Sequence, residues 1–271
     1  MKKNNLLFIL TLFISITFII SACGKEEIVN GIGLDEIVEQ GYVTIGLDDT
    51  FAPMGFRNEQ GEIVGFDVDL AKEAFKRIGV EVRFQPIDWS MKEAELNSGN
   101  IDLIWNGYTI TMEREEKVAF TKPYLENKQV IITLSDSNIV KKEDLIGKKV
   151  AVQSGSSSLD AVNKEQELVK QFKNGELILF ETNNEAFMDL EAGRTDAVVA
   201  DEILARYYIQ KRGVKKYKIL EEDFGKENYG IGLRKPDTEL LEKLDQTLVE
   251  LKNDGSAKLI SEKWFGKNII K

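Results

Sequence analysis

One pattern occurs twice in this chain. Leu96-x-x-Gly99-x-x-Asp102 leads into Leu103-Ile104-Trp105, and 94 residues later Leu190-x-x-Gly193-x-x-Asp196 leads into Ala197-Val198-Val199-Ala200. In each copy a helix is expected to end at a glycine, which takes positive φ at little steric cost. A turn then feeds a strand. Both copies end in polar residues, with Asn106 four past Asp102 and Asp201 five past Asp196. Ligands in open α/β sheets sit beyond the carboxyl ends of strands. The pattern therefore points to two similar lobes facing each other across a cleft, with Asn106–Thr109 on one side and Asp201 on the other. Chance likeness between two α/β units is the competing explanation.

The rest of the chain alternates in the same way, as an α/β protein does. Strands are expected at 42–47, 80–84, 101–105, 150–153, 177–180 and 197–200. Helices are expected at 65–78, 90–97 with Ser90 as N-cap, 158–172, 184–192, 237–253 and 257–264. Two extended segments, Lys128–Leu134 and Asn228–Leu233, could carry the chain between lobes. Lobe 1 is then 42–127 plus 229–271, and lobe 2 is 128–228 with the hinge strands.

The first 22 residues read as an export signal rather than part of the fold. Lys2 and Lys3 precede an apolar run, Leu6 to Ile20, that is short for a membrane helix. Ile20-Ser21-Ala22-Cys23 resembles a bacterial lipobox, with Cys23 as the lipidated first residue of the mature protein. An ordinary signal peptide with a chance cysteine is the alternative. Residues 23–41 read as a lipid-anchored tether leading into a short helix. Such an anchor, a palmitate-type acyl modification, holds a protein to the membrane without spanning it. Cys23 is the only cysteine, so no internal disulfide is possible and stability must come from packing.

The formal charge is −10, and about −12 once residues 1–22 are removed with Lys2 and Lys3. That balance argues against nucleic acid, whose binding runs on Lys/Arg contacts to phosphate. There is no histidine, which excludes Ser-His-Asp and Cys-His catalysis and His-rich zinc sites. The scattered carboxylates lack a calcium-loop spacing, so neither metal nor cofactor is expected.

Several residues have chemistry suited to a small zwitterion. Arg114 follows the strand-fed loop Asn106-Gly107-Tyr108-Thr109, and its planar guanidinium matches a carboxylate. A surface arginine in the run Glu113–Lys117 is the alternative. Asp201 suits an ammonium, or equally a helix N-cap for Glu202 onward. Ser154-Gly155-Ser156-Ser157-Ser158 opens a helix after a strand, where exposed amides bind anions; it lacks the lysine and spacing of a P-loop. Asp48, Phe51 and Trp89 could hold a guanidinium or amide between an acid and two aromatic faces. Core packing of the rings, and a turn at Asp48-Asp49, are the competing roles.

Taken together, GFDVDL (65–70), NGYTIT with Arg114, FTKPY (120–124), the SGSSS loop and KWFG (263–266) resemble the bacterial extracellular solute-binding proteins of family 3, over about 42–266. The resemblance implies a type II periplasmic-binding-protein fold, two α/β lobes joined by two hinge strands and closing on the ligand. It implies a monomer, lipid-anchored on the extracellular face of the cell membrane, that captures a polar amino acid and docks on an ABC permease with ATPase subunits behind it. Arginine is favoured, with glutamine, lysine, ornithine or cystine open. By the same resemblance Arg114 and the amides of Thr109 and Ser157 take the α-carboxylate. Asp201, the Thr109 hydroxyl and the Asn106 carbonyl take the ammonium. Asp48, Phe51 and Trp89 surround the side chain, and Gln153 lies near its far end. Many relatives have Ser-Ser where this chain has Asn106-Gly107, which removes a possible hydroxyl contact. The implied role is not enzymatic; the alternative is a lyase on the same fold, of the cyclohexadienyl dehydratase kind, needing a cleft acid with a perturbed pKa.

Overall fold

The computed structural model describes residues 31–271. The expected signal segment, Cys23 and the tether up to residue 30 lie outside the described residues. Among the described residues no helix is long and apolar enough to cross a membrane.

The chain opens with α1 (Leu34–Gln40) and β1 (Tyr42–Leu47). A small antiparallel sheet follows, made of β2 (Thr50–Phe51), β3 (Gly55–Arg57) and β4 (Ile63–Val64). Next come α2 (Phe66–Ile78), β5 (Glu81–Pro86), a 3-10 turn at Trp89–Met91, α3 (Lys92–Asn97) and β6 (Leu103–Ile104). After α4 (Met112–Lys117) and β7 (Ala119–Phe120), the long strand β8 (Leu125–Leu134) leads away. The second half runs β9 (Val150–Gln153), α5 (Ser157–Asn163), α6 (Gln166–Val169), β10 (Ile178–Phe180), α7 (Asn183–Glu191), β11 (Ala197–Asp201) and α8 (Glu202–Arg212). Strand β12 (Tyr217–Tyr229) returns to β13 (Gly232–Leu233), α9 (Thr238–Asn253) and α10 (Ser256–Phe265).

These elements form two α/β lobes, each on a five-stranded sheet with the same plan. The orders are β5-β1-β6-β13-β7 and β10-β9-β11-β8-β12. In both, the first three strands are parallel and the fourth is antiparallel to the third. Strands β9 and β11 are wholly buried, which explains their unbroken apolar runs: parallel strands are covered on both faces.

The repeated pattern has one job in both lobes. Asp102 accepts the Thr44 N–H at 2.8 Å, and the Asp102 N–H donates to the Thr44 carbonyl at 2.8 Å. Asp196 accepts the Lys149 N–H at 2.8 Å, and its own N–H donates to the Lys149 carbonyl at 2.9 Å. Each aspartate thus pins the entry of the third strand to the second strand of its sheet, after a glycine at φ +79° or +67° has turned the chain. Asp102 carries a second load, because the Arg234 guanidinium lies 3.3 Å from it, and 3.1 Å from Asp237.

Strands β8 and β12 pair along their length, from Leu125↔Tyr229 to Leu134↔Tyr217, so the two passages between sheets run side by side. The last helices return to pack on α2. There Asp69 accepts from Lys263 Nζ at 2.6 Å and Trp264 Nε1 at 2.8 Å, and Phe66 packs on Phe265 with centroids 5.0 Å apart. The GFDVDL and KWFG segments are therefore one joint.

Three local expectations differ. The helix expected over 158–172 is broken into α5 and α6 at Lys164–Glu165. Ser90 is not the cap: Asp88 is, accepting the Ser90 N–H at 2.8 Å. The β2–β4 sheet was not anticipated, because its strands are two or three residues long and carry no readable period.

Asp102→Ala leaves Arg234 buried with one carboxylate fewer, and breaking a buried pair costs about 3–5 kcal/mol. Asp196 is exposed, so Asp196→Ala loses only a hydrogen bond worth about 0.5–1.5 kcal/mol. Urea denaturation should separate the two variants in that order, and equal losses would contradict the assignment of the Arg234 load to Asp102.

Candidate functional site

The first-lobe loop is held from beneath. Asp67, fully buried on α2, accepts the Gly107 N–H at 2.6 Å and the Tyr124 hydroxyl at 2.9 Å. Burial pushes its carboxyl from an ordinary 3.8 up to about 7, against the pull of those two donors. The Asn106 side chain turns the other way, and its Oδ1 accepts the Asp48 N–H at 3.0 Å. The Phe51 ring lies against this loop, 2.8 Å from where a Cβ on Gly107 would stand. With φ +58° at Gly107, no larger residue fits the turn between ring and cleft.

Arg114 is not a surface arginine; it is 4% exposed. Thr111 caps α4 by accepting the Arg114 N–H at 3.2 Å, which faces the side chain into the cleft. Nη1 donates to the Thr109 carbonyl at 3.0 Å and Nη2 to the Gly155 carbonyl at 3.2 Å. The guanidinium stands over the Tyr108 ring at 4.8 Å, and Glu93 lies 4.0 Å from Nε. Each Nη carries two N–H groups, so one on each is left for a carboxylate.

The second lobe meets this loop from β9. Ser156 caps α5, accepting the Leu159 N–H at 3.2 Å and donating to the Gln153 carbonyl at 2.7 Å. Gly155 lies so near the first lobe that a Cβ there would stand 2.9 Å from Ser90 Cα. Its carbonyl also accepts from Lys92 Nζ at 2.9 Å; burial lowers that ammonium to about 8. The Ser157 and Thr109 hydroxyls meet at 3.1 Å.

Gln153 bridges the lobes at the other end. Its Nε2 donates to Asp48 Oδ2 at 2.8 Å, and its Oε1 accepts from Asn183 at 2.7 Å. Asp48 Oδ1 meanwhile accepts from the Thr50 N–H and hydroxyl at 2.8 and 2.7 Å. Asp48 therefore makes the local turn and also faces the second lobe. Burial raises its pKa above the ordinary value. Trp89 packs edge-on to Tyr108, with centroids 5.8 Å apart, inside a buried cluster with Leu96, Ile101, Ile104 and Val118.

Asp201 is the N-cap residue of α8 by position, yet its side chain makes no cap bond. It turns to Asn127 and Gln129, both of which donate to Oδ1. Glu227 stands in the same cluster. Its Oε1 accepts from Asn127 at 2.7 Å, Gln129 at 2.8 Å and the Thr109 hydroxyl at 2.9 Å. Burial first, and then the Glu227 charge, drives Asp201 well above the ordinary carboxylate range.

Of the residues singled out from sequence, Asp48, Thr109, Arg114, Gln153 and Ser157 make contacts across the seam between the lobes, whereas Phe51 packs on the Gly107 turn and Trp89 in a first-lobe core cluster. Sequence reasoning missed Asn127, Gln129 and Glu227, and also Lys92 and Asp67. The first three lie on β8 and β12, which read from sequence only as connectors. Alternation along Asn127-Lys128-Gln129 was the one available signal; the register that sets Asn127 opposite Glu227 and Gln129 opposite Asp201 had none.

The profile of the Bacterial extracellular solute-binding proteins, family 3, matches residues 43–267. The L-cystine-binding protein TcyJ of Escherichia coli K12 is 30% identical over 240 residues, 88% of each chain. An ABC uptake transporter substrate-binding protein from Streptococcus pneumoniae, solved with bound histidine, is 40% identical with TM-score 0.86, covering 88% of this chain and 97% of that one. An ancestral arginine-binding protein solved with arginine is 43% identical with TM-score 0.75, covering 83% of this chain and 99% of its own.

The raised Asp67 pKa has a signed consequence. Between its ordinary value of 3.8 and about 7 the folded chain holds a proton that the unfolded chain has lost, so stability falls as pH rises through that window. Thermal unfolding of Asp67→Asn should be less sensitive to pH between 5 and 7.5 than wild type. Parallel profiles would show that Asp67 does not titrate beneath the loop.

Proposed function

The chain belongs to the bacterial extracellular solute-binding proteins, family 3, and on that premise we propose that it captures a free polar amino acid between its two lobes for an ABC importer. The observation that carries the reading is the double use of Thr109. Its carbonyl sits on Arg114 and its hydroxyl on the Ser157–Glu227 side of the seam, so a cationic and an anionic group flank one residue. A zwitterion of amino-acid size satisfies both at once. In this reading Arg114 and the amides of Thr109 and Ser157 take the α-carboxylate. Asp201 takes the ammonium with the Thr109 hydroxyl and Asn106 carbonyl. Gly107 and Ser156 shape the two loops.

Asp48, Phe51, Trp89 and Gln153 define the side-chain end. A buried carboxylate there, facing the Gln153 amide of the other lobe, favours a guanidinium or a side-chain amide, and arginine is the leading ligand. The relatives' cystine, histidine and arginine mark the range. The protein acts by binding, not catalysis: each cleft acid has partners that suit ligand recognition. Lipidation at Cys23, placement on the extracellular face of the membrane, a monomeric state and delivery to a permease complete the proposal. Lobe 1 comprises 42–127 and 229–271, and lobe 2 comprises 128–228.

Thermal unfolding against the twenty amino acids, ornithine, citrulline and cystine tests this. A binder at 100 times its Kd adds about 2.7 kcal/mol. Arg114→Ala should remove the shift, since an unpaired buried carboxylate costs about 3–5 kcal/mol; an unchanged shift would overturn the site. Asp48→Asn should weaken arginine by about tenfold or more, equivalent to about 1.4 kcal/mol, and glutamine far less. Equal weakening would mean that Asp48 does not read side-chain charge.

A further inference from the structure

We propose that Glu227 is a second carboxylate for the ligand's ammonium group, and that the Asp201–Glu227 pair gives up a proton to solvent when that ammonium arrives. The inference rests on the amino-acid reading above and extends it to a residue on the strand that links the lobes.

The strand register builds the pair. Gln129 lies opposite Asp201, and Asn127 lies opposite Glu227. Strand β8 therefore carries two amides on one face, with an acid on each flanking strand. Both amide nitrogens donate to Asp201 and both donate to Glu227, so the two carboxylates converge on shared donors. The Gln129 amide is oriented for this, because its Oε1 accepts from the Ser158 hydroxyl.

Two carboxylates this close oppose joint ionisation. The groups facing them do not relieve that opposition. Strand β8 offers neutral amides, the first-lobe loop and α5 offer the Thr109 and Ser157 hydroxyls, and β12 adds the Tyr229 phenol beside Asp201. Arg114 is engaged on the far side of Thr109, at its carbonyl. Without a ligand cation, the pair keeps a proton on Asp201. An ammonium placed between the carboxylates favours both charges, and the proton leaves.

Linkage then fixes the sign. Binding that releases one proton strengthens as pH rises, by up to about tenfold per pH unit. The test is calorimetric titration of the purified chain with L-arginine, L-glutamine and L-cystine at pH 5.5, 6.5 and 7.5. Each titration is run in two buffers of different ionisation heat. Wild type should show buffer-dependent heats that report proton release, with affinity rising with pH. Glu227→Gln should show smaller buffer-dependent heats, a shallower pH profile, and affinity at pH 7.5 at least tenfold weaker. Wild-type binding with no proton release overturns the proposal whatever the variant does, and so does a Glu227→Gln protein that folds, binds and releases as much proton as wild type. A wild-type protein that binds none of the three amino acids fails the amino-acid reading itself, and the proposal with it.

Discussion

Asp48, Lys92, Arg114 and Asp201 are all held out of water at the seam between the lobes, and a buried charge without partners is expensive. The polar structure of the seam answers that cost residue by residue. Arg114 is carried on two carbonyls and a phenol ring, one carbonyl from each lobe. Lys92 shares the Gly155 carbonyl. Asp48 is satisfied by Thr50 from its own lobe and Gln153 from the other. Asp201 is satisfied by amides of the crossing strand. These bonds leave donors on Arg114 and like charge around Asp201, which the proposed zwitterion would complement. On the proposed reading, complementarity to both ends of an amino acid is built from the same contacts that hold the lobes together.

The contacts fall into two groups. One lies in the seam: Gln153 on Asp48, Ser157 on Thr109, and the Gly155 carbonyl under Lys92 and Arg114. The other lies at its edge, where the Tyr208 hydroxyl donates to the Thr50 carbonyl at 2.8 Å and Phe56 packs on Tyr207 with centroids 5.6 Å apart. Thr50 also supports Asp48, so the edge contact and the side-chain end of the site share one turn. Strands β8 and β12 join both lobes and carry Asn127, Gln129 and Glu227, so the proposed ammonium site lies on the elements about which such lobes move.

Much of this was legible in the sequence because it rests on local patterns. The paired Gly-x-x-Asp units foretold two equivalent sheets, since a helix-ending glycine and a strand-pinning aspartate are short-range devices. Arg114 was legible through the loop that precedes it, although its charged neighbours suggested a surface. Asp201 was legible as polar at a strand end, but only the structure distinguishes its turn toward Asn127 and Gln129 from a helix cap. Glu227 was illegible: it lies in the charged stretch Glu221–Glu227, and its place opposite Asn127 is a register between strands a hundred residues apart. Asp67 was equally hidden, because its partners Gly107 and Tyr124 meet it only after the sheet forms. The break between α5 and α6 has no sequence signal, because the apolar period continues through Leu168 and Val169 while the backbone does not.

The central claim is that one amino acid spans the seam with its carboxylate at Arg114 and its ammonium at Asp201. A crystal structure of the complex with the tightest-binding amino acid tests it most directly. The account predicts a carboxylate within hydrogen-bond reach of both Arg114 Nη atoms, an ammonium beside Asp201 and Glu227, and a side chain directed toward Asp48. A ligand bound outside the seam, or one lying with its carboxylate toward Asp201, would contradict it.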